Sequence, residues 1–357
     1  MGEIRLMKGN EAIAEAAIRA GCDAYFGYPI TPQSEILEYL TEAQPEKRTG
    51  MVVLQAESEL AAINMVYGAA AAGKKVMTTS SSPGISLMQE GISYMAGAHL
   101  PGVIVNVVRG GPGLGTIQPS QCDYFQSTKG GGHGDYRLLV LAPASVQEMA
   151  DHVKLAFELA FKYRNPVLIL SDGLIGQMME KVELFDPIPR SKDLPQWAAC
   201  GKKNRPHNII TSLHLDAYEH EKVNIELKEK YARMQNEEVR YETYLCEDAE
   251  YLMVAYGASA RICQKAVSMA RNTGIKVGLL RPITLFPFPS KVIASMASQL
   301  QGILSVEMSH GQMVEDILLA TRQYPTLKVE HYGRYGGVVH TPEEVLEAFS
   351  KLYIQFN

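Results

Sequence analysis

Short apolar runs alternate with longer amphipathic stretches through the first 175 residues. Ala24-Tyr25-Phe26, Met51 to Leu54, Lys75 to Thr79, Gly102 to Val108, Arg137 to Leu141 and Pro166 to Leu170 are too short for helices. Such runs read as parallel strands covered on both faces. The stretches between them, Asn10 to Ala20, Gln33 to Thr41, Glu57 to Ala72, Ile85 to Ala98 and Val146 to Tyr163, carry helical spacing. Gly21 and Gly73 stand where two of these helices stop, as left-handed C-caps require. The alternation predicts a doubly wound α/β domain over residues 1–180.

Residues 181–248 break the rhythm. Pro187, Pro189, Pro195 and Pro206 fall in a polar stretch that reads as an extended connection. A charged helix is expected from Glu219 to Tyr244, with Val223, Leu227, Met234, Tyr241 and Leu245 on one stripe. Glu226/Lys230 and Glu229/Arg233 are spaced for i,i+4 ion pairs on its outer face, as in a surface helix bracing two domains. Alternation resumes with strands over 251–256, 276–281 and 302–306 and helices over 259–272, 289–298 and 311–322. Residues 249–357 therefore form a second, smaller α/β domain.

The most informative segment is Gly27-Tyr28-Pro29-Ile30-Thr31-Pro32, between the first of these strands and the next helix. Its prolines fix backbone angles, and Gly27 permits a close approach that a side chain would block. Pro32 suits the first helical position, which makes Thr31 the N-cap. Turns beyond the carboxyl ends of strands are where open α/β sheets bind ligands. Two charged residues occupy the same edge. Glu59, in Glu57-Ser58-Glu59, favours the helix dipole. It also runs directly into Leu60-Ala61-Ala62-Ile63, so it meets an apolar wall and suits proton relay. Arg109 ends the strand through Val108; it is either a surface arginine or a fork for a carboxylate.

Other motifs are weaker. Gly110-Gly111-Pro112-Gly113-Leu114-Gly115 is neither a dinucleotide fingerprint nor a P-loop. It reads as a mobile loop over the crevice, with Gly130 to Asp135 as its other flexible end. His133, alone among glycines, reads as exposed rather than as a base. Ser80-Ser81-Ser82-Pro83-Gly84 forms a strand-end turn that offers hydroxyls. The five cysteines are widely separated and lack the close pairs of zinc and iron–sulfur sites, so no metal ligands are expected on this chain. A net charge of -5 leaves no nucleic-acid footprint. No apolar run approaches the ~20 residues of a membrane span. The start, Met1 to Arg5, lacks a signal-peptide core, and Leu6 stands where a myristoylation motif needs Ser or Thr. A cytoplasmic chain is expected.

Taken together, these motifs resemble the alpha-type subunit of the 2-oxoacid:ferredoxin oxidoreductases over essentially the whole chain. "GYPITPQSEI" at 27–36 matches the family's YPITP motif, and "AESELAAINMVYGAAAAG" at 56–73 its acid-containing helix. "TTSSSPGISLMQEGISY" at 78–94 resembles its SGPG segment, with Ser82 where Gly is common. "LLRPITLFPFP" at 279–289 and "SVEMSHGQM" at 305–313 resemble second-domain motifs, with Ser309 where Asn is frequent. The branched-chain (3-methyl-2-oxobutanoate) type is the nearest in style, and the 2-oxoglutarate type is the runner-up.

The resemblance implies a pyrimidine-type thiamine-diphosphate domain followed by a transketolase C-terminal-like domain. By it, Glu59 bonds N1′ of the aminopyrimidine, and Tyr28, Pro29 and Ile30 lie beside the cofactor. Thr31 and Arg109 surround the 2-oxoacid carboxylate and the CoA-accepting step. The implied reaction converts 2-oxoacid, CoA and oxidised ferredoxin into acyl-CoA, CO2 and reduced ferredoxin, in anaerobic metabolism. The chain lacks the G-D-G…N pattern for Mg2+ and diphosphate; "SDG" at 171–173 has no Asn at the matching spacing. Mg2+ and Fe-S clusters are accordingly expected on partners: a beta-type subunit that binds thiamine diphosphate and Mg2+, a gamma-type subunit, and a ferredoxin-like delta-type subunit. Self-dimerisation is also expected. Two alternatives stay open. One is the pyrimidine-side subunit of a lipoamide-linked dehydrogenase or transketolase-like enzyme, against which the YPITP and HGQM segments argue. The other is a non-catalytic scaffold, against which the joint presence of Thr31, Glu59 and Arg109 argues.

Overall fold

The computed structural model describes residues 3–354; Met1-Gly2, part of the N-terminal reading, and residues 355–357 of the second unit lie outside the described residues. The chain opens with β1 (Glu3–Lys8), α1 (Gly9–Arg19), β2 (Ala24–Gly27), α2 (Ser34–Ala43), α3 (Pro45–Thr49) and β3 (Val52–Gln55). Then come α4 (Glu59–Ala71), β4 (Val76–Ser80), α5 (Ser82–Gly97), β5 (Gly102–Val108), α6 (Tyr124–Thr128) and β6 (Leu139–Leu141). The first half closes with α7 (Val146–Tyr163), β7 (Pro166–Asp172), α8 (Gly173–Gln177) and β8 (Met179–Leu184). After α9 (Ala217–Glu237) follow β9 (Tyr241–Tyr244), β10 (Tyr251–Val254), α10 (Gly257–Arg271), β11 (Val277–Pro282) and β12 (Thr284–Phe286). The last elements are α11 (Ser290–Ala297), β13 (Gly302–Glu307), α12 (Met313–Ala320), β14 (Lys328–Gly333) and α13 (Pro342–Ile354).

Among the described residues the strands form three sheets. The large sheet runs β12-β6-β7-β5-β4-β2-β3, the second runs β14-β13-β10-β11-β9, and β1-β8 is a separate ribbon. From β6 to β3 every pairing is parallel, whereas β12 joins β6 antiparallel. A strand of the second half thus completes the sheet of the first. Every residue of β5 and β7 is buried, as continuous apolar strands between two helical layers should be.

Buried polar side chains brace the second half internally, through Glu307, and fasten it to the first, through Gln121. Glu307, fully buried, accepts Gln312 N at 3.0 Å, Met313 N at 2.8 Å and Val314 N at 3.0 Å, plus the hydroxyls of Ser305 and Ser309. It supplies partners for the otherwise unpaired amides at the start of α12. Gln121 Nε2 donates to Tyr256 O at 2.9 Å, and its Oε1 accepts from Ser259 Oγ at 2.8 Å and Met308 N at 3.0 Å.

Several expectations need correction. Helix α2 begins at Ser34 behind Gln33, so Thr31 is not its N-cap. Gln33 is held back because its side chain bonds Tyr28 O and Thr79 Oγ1. Helix α5 begins at Ser82, so Ser82-Pro83-Gly84 is a helical first turn. The loop after Arg109 folds back on itself: Gly110 N bonds Gln118 O at 3.0 Å and Thr116 N bonds Gly110 O at 2.8 Å. Helix α9 stops at Glu237, and Tyr241 starts a strand paired with β11. Ile283 N and Thr284 N both bond Arg240 O, which draws the chain into a sheet and takes Tyr241 and Leu245 off the helical stripe.

Nor does Lys230 reach out to Glu226. It is buried, with Nζ 3.1 Å from His99 Nδ1 and 3.2 Å from Arg164 O. Burial, reinforced by the Arg164 and Arg233 charges against a smaller pull from Glu226, brings its ammonium down to about 7. A lysine less basic when folded than when unfolded costs stability where it is charged. The cost is complete below the folded value and vanishes above the unfolded one. Lys230→Met should therefore gain on the wild type as pH falls from ~10 to ~7, by on the order of 1–4 kcal/mol, and the gap should then level off. Paired melting curves across that range check this. A pH-independent gap would mean that the ammonium is not its source.

Candidate functional site

Strands β2, β4 and β5 are parallel neighbours, so their carboxyl ends open on one edge of the sheet. Residue 27 is glycine because the Tyr25 ring folds over it; an added Cβ would collide with the phenol oxygen. That hydroxyl meets Thr79 Oγ1 at 2.7 Å, and Thr79 donates to Gln33 Oε1 at 2.6 Å. Gln33 Nε2 in turn donates to Tyr28 O at 3.0 Å, and Gln33 N donates to Ile30 O at 3.0 Å. The turn from Tyr28 through Pro29, Ile30 and Thr31 is thus pinned from beneath by a buried amide, while Pro29 and Thr31 stay exposed.

Arg109 joins this turn. Its Nη1 donates to Thr31 O at 3.0 Å and its Nη2 to Leu114 O at 3.1 Å. Its Nε has no partner, although the side chain is only 7% exposed. A buried guanidinium held by main-chain carbonyls keeps its charge available to an anion.

Glu59 opens α4 behind the N-cap Ser58, whose Oγ accepts Ala61 N at 3.2 Å. Ala56 N bonds Gly27 O at 2.8 Å, which ties this helix start to the same turn. The carboxylate is 6% exposed and faces the first turn of α5. A Cβ on Gly84 would lie 2.5 Å from Glu59 Oε1 and would also strike Ser80 Oγ, so only glycine fits there. The hydroxyls of Thr78, Ser80 and Ser81 are buried without partners. The acid and the unpartnered Ser80 hydroxyl thus meet at one glycine, in a tightly packed polar corner at the sheet edge.

The structure thus unites Thr31 and Arg109 directly, and joins both to Glu59 through the start of α5. It leaves His133 apart: that residue is exposed, its ring edge-on to Tyr94 at 6.3 Å. Asp172 of the "SDG" segment is committed as the cap of α8, accepting Leu174 N and Ile175 N at 3.1 Å, and it accepts Ala258 N at 3.0 Å. Sequence reasoning missed Gln33 and Asn106. A lone asparagine inside the apolar strand Gly102–Val108 was the available signal for the second. Among the described residues no group of three or more His, Cys, Asp or Glu is placed to hold a metal ion, and no helix is long and apolar enough to cross a membrane.

Residues 15–244 match the family described as pyruvate flavodoxin/ferredoxin oxidoreductase, thiamine diP-bdg, and residues 249–345 match pyruvate:ferredoxin oxidoreductase core domain II. The chain belongs to the pyruvate flavodoxin/ferredoxin oxidoreductase family. Within this family it is 55% identical over 343 residues to the ketoisovalerate oxidoreductase subunit VorB of Methanothermobacter thermautotrophicus, spanning 96% of each chain. It is 36% identical over 379 residues to the 2-oxoglutarate synthase subunit KorA of the same organism, spanning 99% of this chain and 100% of that one. The 2-oxoglutarate:ferredoxin oxidoreductase of Magnetococcus marinus, solved with 2-oxoglutarate, coenzyme A and succinyl-CoA bound, superposes with a TM-score of 0.87 at 27% identity. That match covers 98% of this chain and 65% of that one. A split-gene transketolase shares the fold, with a TM-score of 0.61 at 15% identity. Family membership makes the first half a thiamine-diphosphate-binding domain.

Proposed function

We propose that this chain is the alpha-type subunit of a ketoisovalerate:ferredoxin oxidoreductase, which turns 3-methyl-2-oxobutanoate and CoA into acyl-CoA and CO2 while reducing ferredoxin. The observation that carries the substrate is the 55% identity to VorB across 96% of both chains, against 36% to KorA. The buried Glu59 facing Gly84 supports the half-site role.

Bound thiamine diphosphate would supply the nucleophilic thiazolium carbon. Glu59 would hold the aminopyrimidine at N1′ and move a proton there. Tyr28, Pro29 and Ile30 would line the ring, and the Ser80 and Ser81 hydroxyls stand free for its polar edge. Arg109, held by Thr31 O, would orient the carboxylate of the 2-oxoacid; Thr31 lies at the mouth where CoA must arrive.

Mg2+, diphosphate and Fe-S clusters belong, in this reading, to beta-, gamma- and delta-type partners. Around Glu59, Val52 and Leu54 on edge strand β3, Leu60 and Met65 on α4, and Leu87 on α5 are all exposed. An apolar face of this kind marks an interaction surface, and the beta-type subunit is the partner proposed for it. The division into units at residues 180 and 248, a cytoplasmic setting and self-dimerisation complete the proposal.

Calorimetry tests the half-site directly. The isolated chain should show no useful affinity for thiamine diphosphate with Mg2+, and adding the beta-type subunit should create the site. Sub-micromolar binding by the lone chain would overturn it. For the assembled complex, an anaerobic panel of 2-oxoacids should give its highest kcat/KM with 3-methyl-2-oxobutanoate; a preference for 2-oxoglutarate would reassign the substrate.

A further inference from the structure

At the end of β5 the backbone of Arg109 is gripped on both sides of its Cα by one hydroxyl. Arg109 N donates to Ser82 Oγ at 3.1 Å, and Ser82 Oγ donates to Arg109 O at 3.2 Å. Ser82 is itself fixed: its N donates to Asn106 Oδ1 at 3.0 Å, and Asn106 Nδ2 donates to Asp123 Oδ2 at 2.8 Å. Cys122 Sγ lies 3.4 Å from Arg109 O, on the far side of the loop. Ser82, Asn106, Arg109 and Asp123 are all buried. The guanidinium side chain thus leaves a backbone whose position is set by a chain of side-chain bonds rather than by the sheet alone.

We propose that Ser82 is a positioning residue for substrate binding: its hydroxyl fixes the Arg109 backbone on both sides of Cα and so aims the guanidinium at the 2-oxoacid carboxylate. This rests on the reading that Arg109 receives that carboxylate. Bonds to the two peptide units that flank the Arg109 Cα fix both its height and its rotation. Losing them lets the strand end pivot, and small misplacements of a binding group are costly.

The test uses the assembled complex with Ser82→Gly, Ser82→Ala, Ser82→Thr and Arg109→Ala. Ser82→Gly and Ser82→Ala should raise KM for the 2-oxoacid about 10-fold, with kcat and the KM for CoA within about twofold of wild type. Ser82→Thr, which keeps the hydroxyl, should restore most of the loss. Adding Ser82→Gly to Arg109→Ala should cost no more than about twofold further, because the two act on one contact. If Arg109→Ala loses substrate affinity while Ser82→Gly and Ser82→Ala keep theirs, the positioning role is overturned and the Arg109 reading stands. If Arg109→Ala itself is unchanged, the underlying reading falls. A Ser82 loss that adds in full to that of Arg109→Ala, or Gly and Ala variants that both fail to assemble, would make Ser82 a structural residue and overturn the proposal.

Discussion

Glu59→Gln is expected to slow turnover of the assembled enzyme by roughly 10²–10⁴-fold, the range a positioned acid–base group contributes. The amide keeps the shape and lacks a transferable proton. The side chain faces Gly84 across a gap that admits nothing larger than glycine, so the substitution should not disturb the first turn of α5. Gln is a fair helix former, and the dipole contribution lost at the start of α4 is about 0.3–1 kcal/mol. Folding and assembly should survive. Deuterium exchange at the thiazolium carbon, followed by NMR in the complex, should slow in parallel with turnover. If exchange and turnover both stay at wild-type rates, Glu59 is only a helix-start acid and the exposed Glu57 becomes the next candidate.

Arg109→Ala should lower kcat/KM for the 2-oxoacid by about 10- to 100-fold, since a hydrogen bond to a charged group is worth about 1.5–3 kcal/mol. Cofactor binding should change much less. The guanidinium's own bonds go to Thr31 O and Leu114 O, so its removal frees two carbonyls near the crevice mouth, where water can reach them. Steady-state kinetics with varied 2-oxoacid, beside calorimetry with cofactor, separate the effects. Unchanged 2-oxoacid kinetics would leave Arg109 as a structural clip between the turn and the following loop.

The strands that build the site were legible because buried parallel strands need apolar residues on both faces. The bounds of β5 and α7 coincide with those read from sequence. Elements that depend on distant partners were not. Strand β1 pairs with β8 across most of the first half, and its Ile4 and Leu6 are exposed, while β8 buries only Val182 and Leu184 among charged neighbours. Strand β12 is the three residues Thr284–Phe286, which exist as a strand only because β6 is beside them. The stripe continuing to Tyr241 and Leu245 mimicked more helix, since a few apolar residues fit either period.

Glu59, Thr31 and Arg109 were legible as strand-end residues, and two of them meet directly. What sequence could not give was the means of their alignment. Gln33, Ser82 and Asn106 act through bonds to residues tens of positions away. Thr31 was misassigned because the capping rule is local, whereas its carbonyl is recruited by an arginine two strands away.

The antiparallel pairing of β12 with β6 bears on how this protein can be divided. A cut between α9 and β9 would look clean on a map of the two halves, yet it would strip the outer rail from the large sheet. The bared edge at Leu139–Leu141 is wholly apolar and unprotected by charge or proline, the kind of edge along which chains stack into aggregates. The halves are therefore separable units on paper but one cooperative body in water. Chimeras that exchange the second half should carry Thr284–Phe286 with whichever sheet it must seal.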